Sequence, residues 1–325
     1  MAFTDYNRLT SITRDKVLPA VIHQLKKEMP LFGKLMANVK KESVGGTNIV
    51  VPVTYRFNTN GGSFSGMDVL DTDLQDTRTA AKYSWKEVYA PIVFSNIELF
   101  KNGGKTGGVE TVVKMLKQDM EEAKETLKNN IATMLFADGT GNSSKDLLGL
   151  KALVDDGTQV ASLGDITLAS YSWFQSTVDT STTALTLATL ATKYAAASSG
   201  RGTESVDMIV TTEAEFNAYE ALLLPNQRFQ GSGQADGSFS KLMYRGAEMV
   251  ADEYCPAGYM FGLNTRYLQL IVGDHPVHPT DANGFTVTPM REPHNQDGQV
   301  GFILLYGQVV QKRPARFFKY TALAD

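Results

Sequence analysis

Lys105 and Thr106 lie in a glycine-rich stretch, Lys101–Gly108 (KNGGKTGG), that is similar to the end of a phosphate-binding loop. Such a loop needs a further glycine five positions before Gly104, because that glycine starts the turn that wraps the phosphates. Leu99 occupies this position. We therefore interpret the stretch as a flexible joint before a helix, and no nucleotide cofactor is expected.

Three histidines, His275, His278 and His294, occur near Asp274, and this is the one segment with a metal-like composition. A zinc site needs several ligands that converge at about 2.0–2.3 Å. A proline follows each of the first two histidines and stiffens an extended backbone. The segment is predicted to be a surface loop, and no metal is expected.

Nucleophilic and acid–base chemistry also lacks a clear candidate. In Gly62–Gly66 (GSFSG), Phe64 stands where a nucleophile elbow would place serine. No pair of carboxylates stands out for glycoside chemistry. The single cysteine, Cys255, has no disulfide partner in the chain and is expected to be buried. A hydrolase built on the α/β part of the chain therefore remains an alternative without a nucleophile.

One stretch interleaves basic and aromatic residues, as single-strand nucleic-acid binding requires: Lys312–Tyr320 (KRPARFFKY). The favoured interpretation is a strand that packs Phe317 and Phe318 inward. The formal net charge of −4 is also atypical of a protein that binds nucleic acid over its whole surface.

Charge is unevenly distributed along the 325 residues. Residues 1–42 contain eight basic and four acidic residues, so this segment is +4 and the remainder is −8. Arg8, Arg14 and Lys16 open the segment and are candidates for contact with an acidic neighbour. A solvated helical face is the alternative, and the sequence does not separate the two.

From Asn48 to Phe57 the apolar period is two, which predicts a strand, and a second strand is predicted over Lys82–Ser95. We expect residues 48–95 to form a long hairpin that projects from the body. An isolated hairpin is marginal in water, so it should find a partner surface on another subunit. The connection is polar and rich in glycine, and its acidic residues are opposed locally only by Arg78: Asp68, Asp71, Asp73 and Asp76.

The strongest local pattern is an apolar stripe that predicts a helix over Val109–Phe136, with a stop at Asp138-Gly139. Helical and strand patterns then alternate, as in a unit with helices packed on a sheet. These elements are a helix around Leu187–Tyr194, a strand over Val206–Val210, a helix over Glu213–Leu224 ended by Pro225, strands around Met249, Met260, Leu270 and Val287, and a long strand over Val300–Gln311.

The order of arm, hairpin, long helix, inserted α/β unit and returning long strand resembles the major capsid proteins of tailed double-stranded DNA phages, which have the α+β Hong Kong 97 fold. Four stretches are similar to this family: LLGLKALVDDGT (147–158), MIVTTEAEFNAYEALLLPNQRF (208–229), DEYCPAGYMFGLNTRYLQLIV (252–272) and TPMREPHNQDGQVGFILLYGQVVQKRP (288–314). With the order of elements they cover nearly the whole chain.

The resemblance implies a domain organisation. An N-terminal arm would span residues 1–47, and the E-loop with its flanking strands 48–95. The peripheral domain would comprise 96–158 and 285–311, with a spine helix over 109–137. The axial domain would comprise 159–284 and 312–325.

The resemblance also implies a function. The chain would assemble as hexamers and pentamers into an icosahedral shell, each E-loop lying over a neighbouring subunit, and the shell would enclose double-stranded DNA through nonspecific contacts. About 42 residues precede the first strand, so a separate scaffolding protein is expected, with a portal protein at one vertex. The chain would be a virion protein assembled in the host cytoplasm, with no membrane partner, no cofactor and no enzymatic activity.

Some relatives link subunits covalently between a lysine and an asparagine. Lys82 or Lys86 and Asn295 are the available pair, but Val300–Val309 lacks the carboxylate that would act as base. Noncovalent contacts or a cement protein are therefore expected to hold the shell. The alternative within the same fold is the shell subunit of an encapsulin-like cargo compartment.

Overall fold

The computed structural model describes residues 28–42, 46–101, 109–198, 204–227 and 242–324. These residues form helices and strands in an α+β arrangement. The helices are α1 (Pro30–Ala37), α2 (Asn96–Lys101), α3 (Val109–Leu135), α4 (Gly141–Ser144), α5 (Leu150–Leu153), α6 (Leu187–Ala197) and α7 (Glu213–Gln227). No described helix combines the length and the apolar character needed to cross a bilayer.

The strands form two larger sheets and two separate strand pairs. In chain order they are β1 (Lys40–Glu42), β2 (Asn48–Thr54), β3 (Arg78–Ser84), β4 (Lys86–Ser95), β5 (Ser162–Leu163), β6 (Ile166–Thr167), β7 (Thr177–Asp179), β8 (Met208–Thr211), β9 (Leu242–Tyr244), β10 (Ala247–Ala251), β11 (Met260–Leu263), β12 (Leu268–Gly273), β13 (Phe285–Val287), β14 (Gly298–Gln311) and β15 (Phe318–Tyr320).

The long strand β14 organises the five-stranded sheet. It pairs antiparallel with β4, β12 and β13, and β1 adds in parallel to β12. The long strand predicted over Val300–Gln311 is thereby confirmed, and it begins two residues earlier than predicted. Because side chains alternate across a strand, β4 buries one face and exposes the other. The buried face of β4 packs with α3 in the larger apolar core.

The six-stranded sheet has the order β7-β15-β11-β8-β10-β9. Its strands send alternate side chains into two apolar cores: Met208 and Val210 of β8 enter the larger core, and Ile209 enters a smaller core with α6 and α7. Phe317 and Phe318 are fully buried, one in each core, which confirms the inward packing predicted for Lys312–Tyr320.

The hairpin differs from its prediction. The predicted strand over Lys82–Ser95 is wrong, because the chain breaks at Trp85 and only β3 pairs with β2, whereas β4 joins the five-stranded sheet. The β2–β3 pair does not project freely either. Ile49, Val51 and Tyr83 are buried in the larger core, since one face of this pair supplies apolar area that the body can cover. Only the connection beyond Thr54 extends away.

The two predicted long helices are present with small differences. α3 begins at Val109 as predicted and ends at Leu135, and Gly139 adopts the positive φ of +81° that favours glycine after a helix. Ala123, Leu127 and Ile131 lie buried on its stripe. Helix α7 does not end at Pro225, as predicted, but continues to Gln227. Proline removes one backbone donor, and within the last turn this loss does not stop the helix.

Candidate interaction surface

Residues 55–77, here named the tip loop, connect β2 to β3, and Tyr55 holds the root of the loop. The Tyr55 backbone N–H donates to the Thr77 carbonyl at 3.1 Å, and its hydroxyl donates to the Asp76 carbonyl at 2.7 Å. The Tyr55 ring stacks on Trp173 with centroids 5.4 Å apart. The root is therefore fixed to the body.

Polar side chains hold the two limbs of the tip loop together. The Thr59 backbone N–H donates to Gln75 Oε1 at 3.1 Å, and Asn60 Nδ2 donates to the Asp73 carbonyl at 2.8 Å. At the far end, Ser65 N donates to Asp68 Oδ2 at 2.8 Å in a turn where Gly66 has a φ of +58°. The loop thus has a defined shape although it buries little of its surface.

The tip loop exposes large apolar side chains. Met67, Val69 and Leu74 have relative exposures between 98% and 101%, and Phe57 is 90% exposed. Phe64 and Leu70 are also exposed. Sequence patterns missed this feature, because these residues follow neither the period of a strand nor that of a helix. The available signal was the number of large apolar residues in a stretch otherwise rich in glycine and aspartate.

The predicted acidic residues lie on the same loop, but their described contacts are local. Asp68 accepts the Ser65 N–H, and Asp71 Oδ1 accepts the Asp73 N–H at 3.0 Å. Asp76 contributes its carbonyl to Tyr55 and to Arg56 Nε. Within the described ranges, none of these four carboxylates forms an ion pair, and neither does Arg78 at the start of β3.

Arg8, Arg14 and Lys16, the basic candidates of the arm, lie outside the described residues, as does the glycine-rich Gly104-Lys105-Thr106 stretch. Pairing between the arm and the tip loop therefore stays a prediction. The tip loop carries exposed apolar and acidic residues within one stretch of chain.

A second exposed apolar surface lies on the outer face of β4 and β14. Tyr89 and Val93 of β4 are exposed, and Phe302 of β14 lies beside them, with its ring centroid 6.2 Å from that of Tyr89. The register places Val93 opposite Val300 and Tyr89 opposite Leu304, which extends the apolar strip across both strands. The tip loop of the same subunit does not cover this strip, since both remain exposed.

One polar cluster has a fully buried ion pair at its centre and was not predicted. Lys319 Nζ donates to Asp155 Oδ1 at 2.9 Å, to the Lys151 carbonyl at 2.8 Å and to Gln159 Oε1 at 3.1 Å. The other oxygen, Asp155 Oδ2, accepts backbone N–H groups from Gly157, Gln159 and Val160 at 2.8–3.1 Å. Burial by itself would raise the pKa of Asp155, but the hydrogen bond from Lys319 and those from the backbone hold that pKa below its usual value.

This buried pair joins two parts of the chain. Asp155 follows α5, whereas Lys319 is the middle residue of β15 in the six-stranded sheet. Every hydrogen of the ammonium group has an acceptor, so the cluster is complete within one subunit. No alternating pattern distinguishes Lys319 from an exposed lysine, and for this reason the sequence did not reveal it.

Two of the histidines considered for a metal site contact each other. His275 and His278 stack with ring centroids 4.8 Å apart, and His294 is exposed. No group of three or more metal-ligating side chains occurs among the residues that the structure describes. Cys255 is buried, which raises the pKa of its thiol, as expected for an interior cysteine.

The lysines considered for cross-linking occupy different settings. Lys82 is exposed on β3, whereas the Lys86 ammonium group donates to the Ser144 carbonyl. Asn295 is exposed in the loop before β14, with a φ of +59°. Phe64, at the nucleophile position of Gly62–Gly66, is an exposed residue of the tip loop.

No protein-family model matches the chain, and a comparison with curated proteins found no match. Solved structures, in contrast, are similar over nearly its whole length. A chain of the cyanophage A-1(L) capsid asymmetric unit is 17% identical with a TM-score of 0.76, covering 97% of this chain and 98% of that one. A capsid chain of the native GTA particle is 12% identical with a TM-score of 0.65, covering 99% and 100%.

A third similar structure is the holo encapsulin complex from Synechococcus elongatus, at 11% identity and a TM-score of 0.59, covering 100% of this chain and 97% of that one. At these identities the similarity establishes the fold. The predicted α+β class is confirmed, and the chain has the Hong Kong 97-type fold of these shell proteins.

Proposed function

We propose that the chain is the major capsid protein of a tailed phage, a structural subunit without enzymatic activity. In this proposal, hexamers and pentamers of the chain form a closed icosahedral shell around a double-stranded DNA genome. One observation carries the proposal: the tip loop extends from the body with large apolar side chains that the described part of the subunit does not cover. The similarity to shell proteins across the whole fold supports it.

Contact between copies would cover these side chains. Fully burying one large apolar side chain contributes about 1.5–3 kcal/mol, so a few such residues per loop suffice for a useful contact. A contact between different surfaces of identical chains repeats around a symmetry axis, and closed symmetry multiplies its effect. The acidic residues Asp68, Asp71, Asp73 and Asp76 would lie at the edge of that contact, where basic groups of a neighbour, including Arg8, Arg14 and Lys16, are candidate partners.

The division into arm (1–47), E-loop region (48–95), peripheral domain (96–158 and 285–311) and axial domain (159–284 and 312–325) is part of the proposal. We propose one change to it. β12 falls within the range given to the axial domain, yet it pairs with β14 over its length. A division that follows the sheets assigns Leu268–Gly273 to the peripheral domain, together with β13 and β14.

The proposed partners follow from the proposed function. A separate scaffolding protein would guide assembly in the host cytoplasm, and a portal protein would occupy one vertex of the virion shell. Noncovalent contacts or a cement protein would secure the shell. Contacts with the packaged DNA would be nonspecific, which is consistent with the net charge of −4.

A cargo compartment is the second candidate, and the similarity to an encapsulin complex favours it specifically. The two candidates share the fold and the contacts between subunits, so the contents of the particle distinguish them. Particles purified from the native source should contain nuclease-protected double-stranded DNA if the chain is a capsid protein, and enzymes without such DNA if it forms a compartment.

Sedimentation velocity and electron microscopy of the purified chain test the proposal directly. Across a series of salt concentrations and pH values, with and without its scaffolding protein, the chain should form hexamers, pentamers, sheets or closed shells. A compact monomer under all of these conditions would contradict a shell function.

A further inference from the structure

One histidine nitrogen closes the first turn of the loop that follows β12. His275 Nδ1 accepts the backbone N–H of Val277 at 3.1 Å and that of His278 at 3.0 Å. A ring nitrogen that accepts hydrogen bonds must carry a lone pair, so His275 is neutral in this conformation and bears its proton on Nε2. Protonation of Nδ1 would convert this acceptor into a donor and remove both hydrogen bonds.

The surroundings add a second cost to a charged ring. His278 stacks on His275 at 4.8 Å, so two protonated rings would be like charges in contact, and Tyr306 of β14 lies 5.4 Å from His275 on another side. Glu87 of β4 faces Tyr306 in the register but is exposed, so water and salt weaken its attraction for a protonated ring.

Charged groups of both signs surround this loop, and Asp281 within it accepts the backbone N–H groups of Asn283 and Phe285 through Oδ1. Lys41 of β1 forms an ion pair with Asp274 at 2.6 Å. Arg291 and Glu292 line a groove with His278. Neither pair presents a net negative charge that would compensate a proton on His275.

The same loop holds strand β1 in place. Lys41 Nζ donates to the Thr280 carbonyl at 3.3 Å in addition to its ion pair with Asp274. Thr280 Oγ1 in turn accepts the His275 backbone N–H at 3.0 Å. β1 is three residues long and pairs along β12 among the described strands, so these loop contacts add to an attachment that also includes the core packing of α1.

We propose that residues 274–284 form an acid-sensitive latch on β1. While the His275 ring is neutral, it closes the turn, and the loop holds Lys41. Protonation of Nδ1 at lower pH opens the turn and weakens the hold of the loop on β1 at the sheet edge, while α1 before it stays packed in the larger core. A role of this latch in controlling the arm of a shell subunit rests on the proposed function. The latch itself requires only the single subunit.

Hydrogen–deuterium exchange of the full-length chain tests the latch. It is measured at about pH 7.5 and about pH 5.5, on either side of the ordinary range of histidine. Exchange times are scaled for the intrinsic exchange rate at each pH. Peptides that cover residues 275–284 and 40–42 report the loop and β1. Protection of both should fall by about tenfold at the lower pH, because two hydrogen bonds are lost. Unchanged protection in the unmodified chain would overturn the proposal.

Three variants identify the responsible atom. In His275→Asn, the side-chain oxygen takes the place of Nδ1 as acceptor and does not titrate, so protection should persist at both pH values. His275→Ala should expose the loop at both, and His294→Asn, at an exposed histidine, should behave as the unmodified chain. Acid-induced opening of His275→Asn, loss of its protection at both pH values, or full protection in His275→Ala would each contradict the assignment. These readouts hold whether or not the chain assembles.

Discussion

The tip loop and the Asp155–Lys319 cluster both depart from the usual distribution of side chains. The tip loop exposes apolar side chains, and the cluster buries charged ones. The tip loop places Met67 and Leu74 in water, whereas the cluster places a lysine and an aspartate in the interior with no exposed surface. The buried charges have a full set of hydrogen bonds within the subunit. The exposed apolar groups have no cover among the residues that the structure describes.

One subunit therefore satisfies the hydrogen bonds of its buried charges, whereas it leaves the apolar surface of the tip loop for a partner to cover. A buried charge is tolerated when it is paired and hydrogen-bonded, and the cluster meets that condition alone. Exposed apolar surface becomes stable only when another surface covers it. Changes at the cluster should therefore affect folding, and changes at the tip loop should affect assembly.

The largest expected effect comes from removing the tip loop. Residues 56–76 are replaced by Asn-Gly, which joins the paired residues Tyr55 and Thr77 by a two-residue turn. Assembly should be lost while the subunit stays folded, because Ala81 and Tyr83 remain to fill the core. Sedimentation velocity measures the assembly, and circular dichroism with thermal melting measures the fold.

A wider deletion serves as the contrast. Replacing residues 59–81 would also remove Arg78–Ala81 of β3, including the fully buried Ala81, and should destabilise the subunit itself. Normal shells from the 56–76 variant, or an unfolded subunit, would show that the tip loop has been misinterpreted.

At the cluster, Lys319→Met leaves the Asp155 carboxylate buried without its partner. The free energy of unfolding should fall by about 3–5 kcal/mol, the usual cost of removing one member of a buried ion pair. Chemical denaturation of the isolated subunit measures this value. Lys128→Met is the matched control, because Lys128 and Glu125 form a partly exposed pair on α3 that should contribute no more than about 1 kcal/mol. Equal effects of the two substitutions would contradict the role given to the cluster.

Substitutions within the tip loop separate its apolar from its acidic contribution. The double variant Met67→Ser with Leu74→Ser should raise the protein concentration needed for assembly by about tenfold or more, since burial of each side chain contributes about 1.5–3 kcal/mol. Light scattering against concentration gives the threshold. The unfolding free energy of the monomer should be unchanged, as both side chains are exposed in it.

The smallest effect is expected for the acidic residues. Asp71→Asn with Asp73→Asn should shift the assembly threshold by no more than about 1 kcal/mol per residue, because exposed ion pairs contribute little. Added salt should reduce even this effect. A shift larger than that of the Met67 and Leu74 variant would reverse the order of the two contributions.

Regular elements of the fold were predictable from the sequence because burial imposes a period on them. The stripe Ala123, Leu127 and Ile131 indicated α3, and the largely apolar stretch over Val300–Gln311 indicated the long strand. The break at Trp85 was not predictable, because β3 and β4 have the same apolar period. That period does not change when the chain passes from pairing with β2 to pairing with β14. The sheet to which a strand belongs depends on contacts distant in sequence.

The candidate surface was predictable only in part. The sequence located a long connection with four aspartates, but it did not indicate that Met67, Val69 and Leu74 would be fully exposed. Exposure depends on whether another part of the chain reaches the residue, and composition does not contain that information. Lys319 illustrates the converse, because its burial requires Asp155 and Gln159, which lie more than 150 residues away in the sequence.

Oxidative footprinting of Met67 tests most directly the claim that the tip loop is a contact between subunits. The side chain is fully exposed in the single subunit and should be oxidised rapidly there. In assembled particles its oxidation rate should fall by about tenfold or more, as for a side chain moved from water into an interface. Equal oxidation rates of Met67 in the free subunit and in the assembled particle would contradict the account.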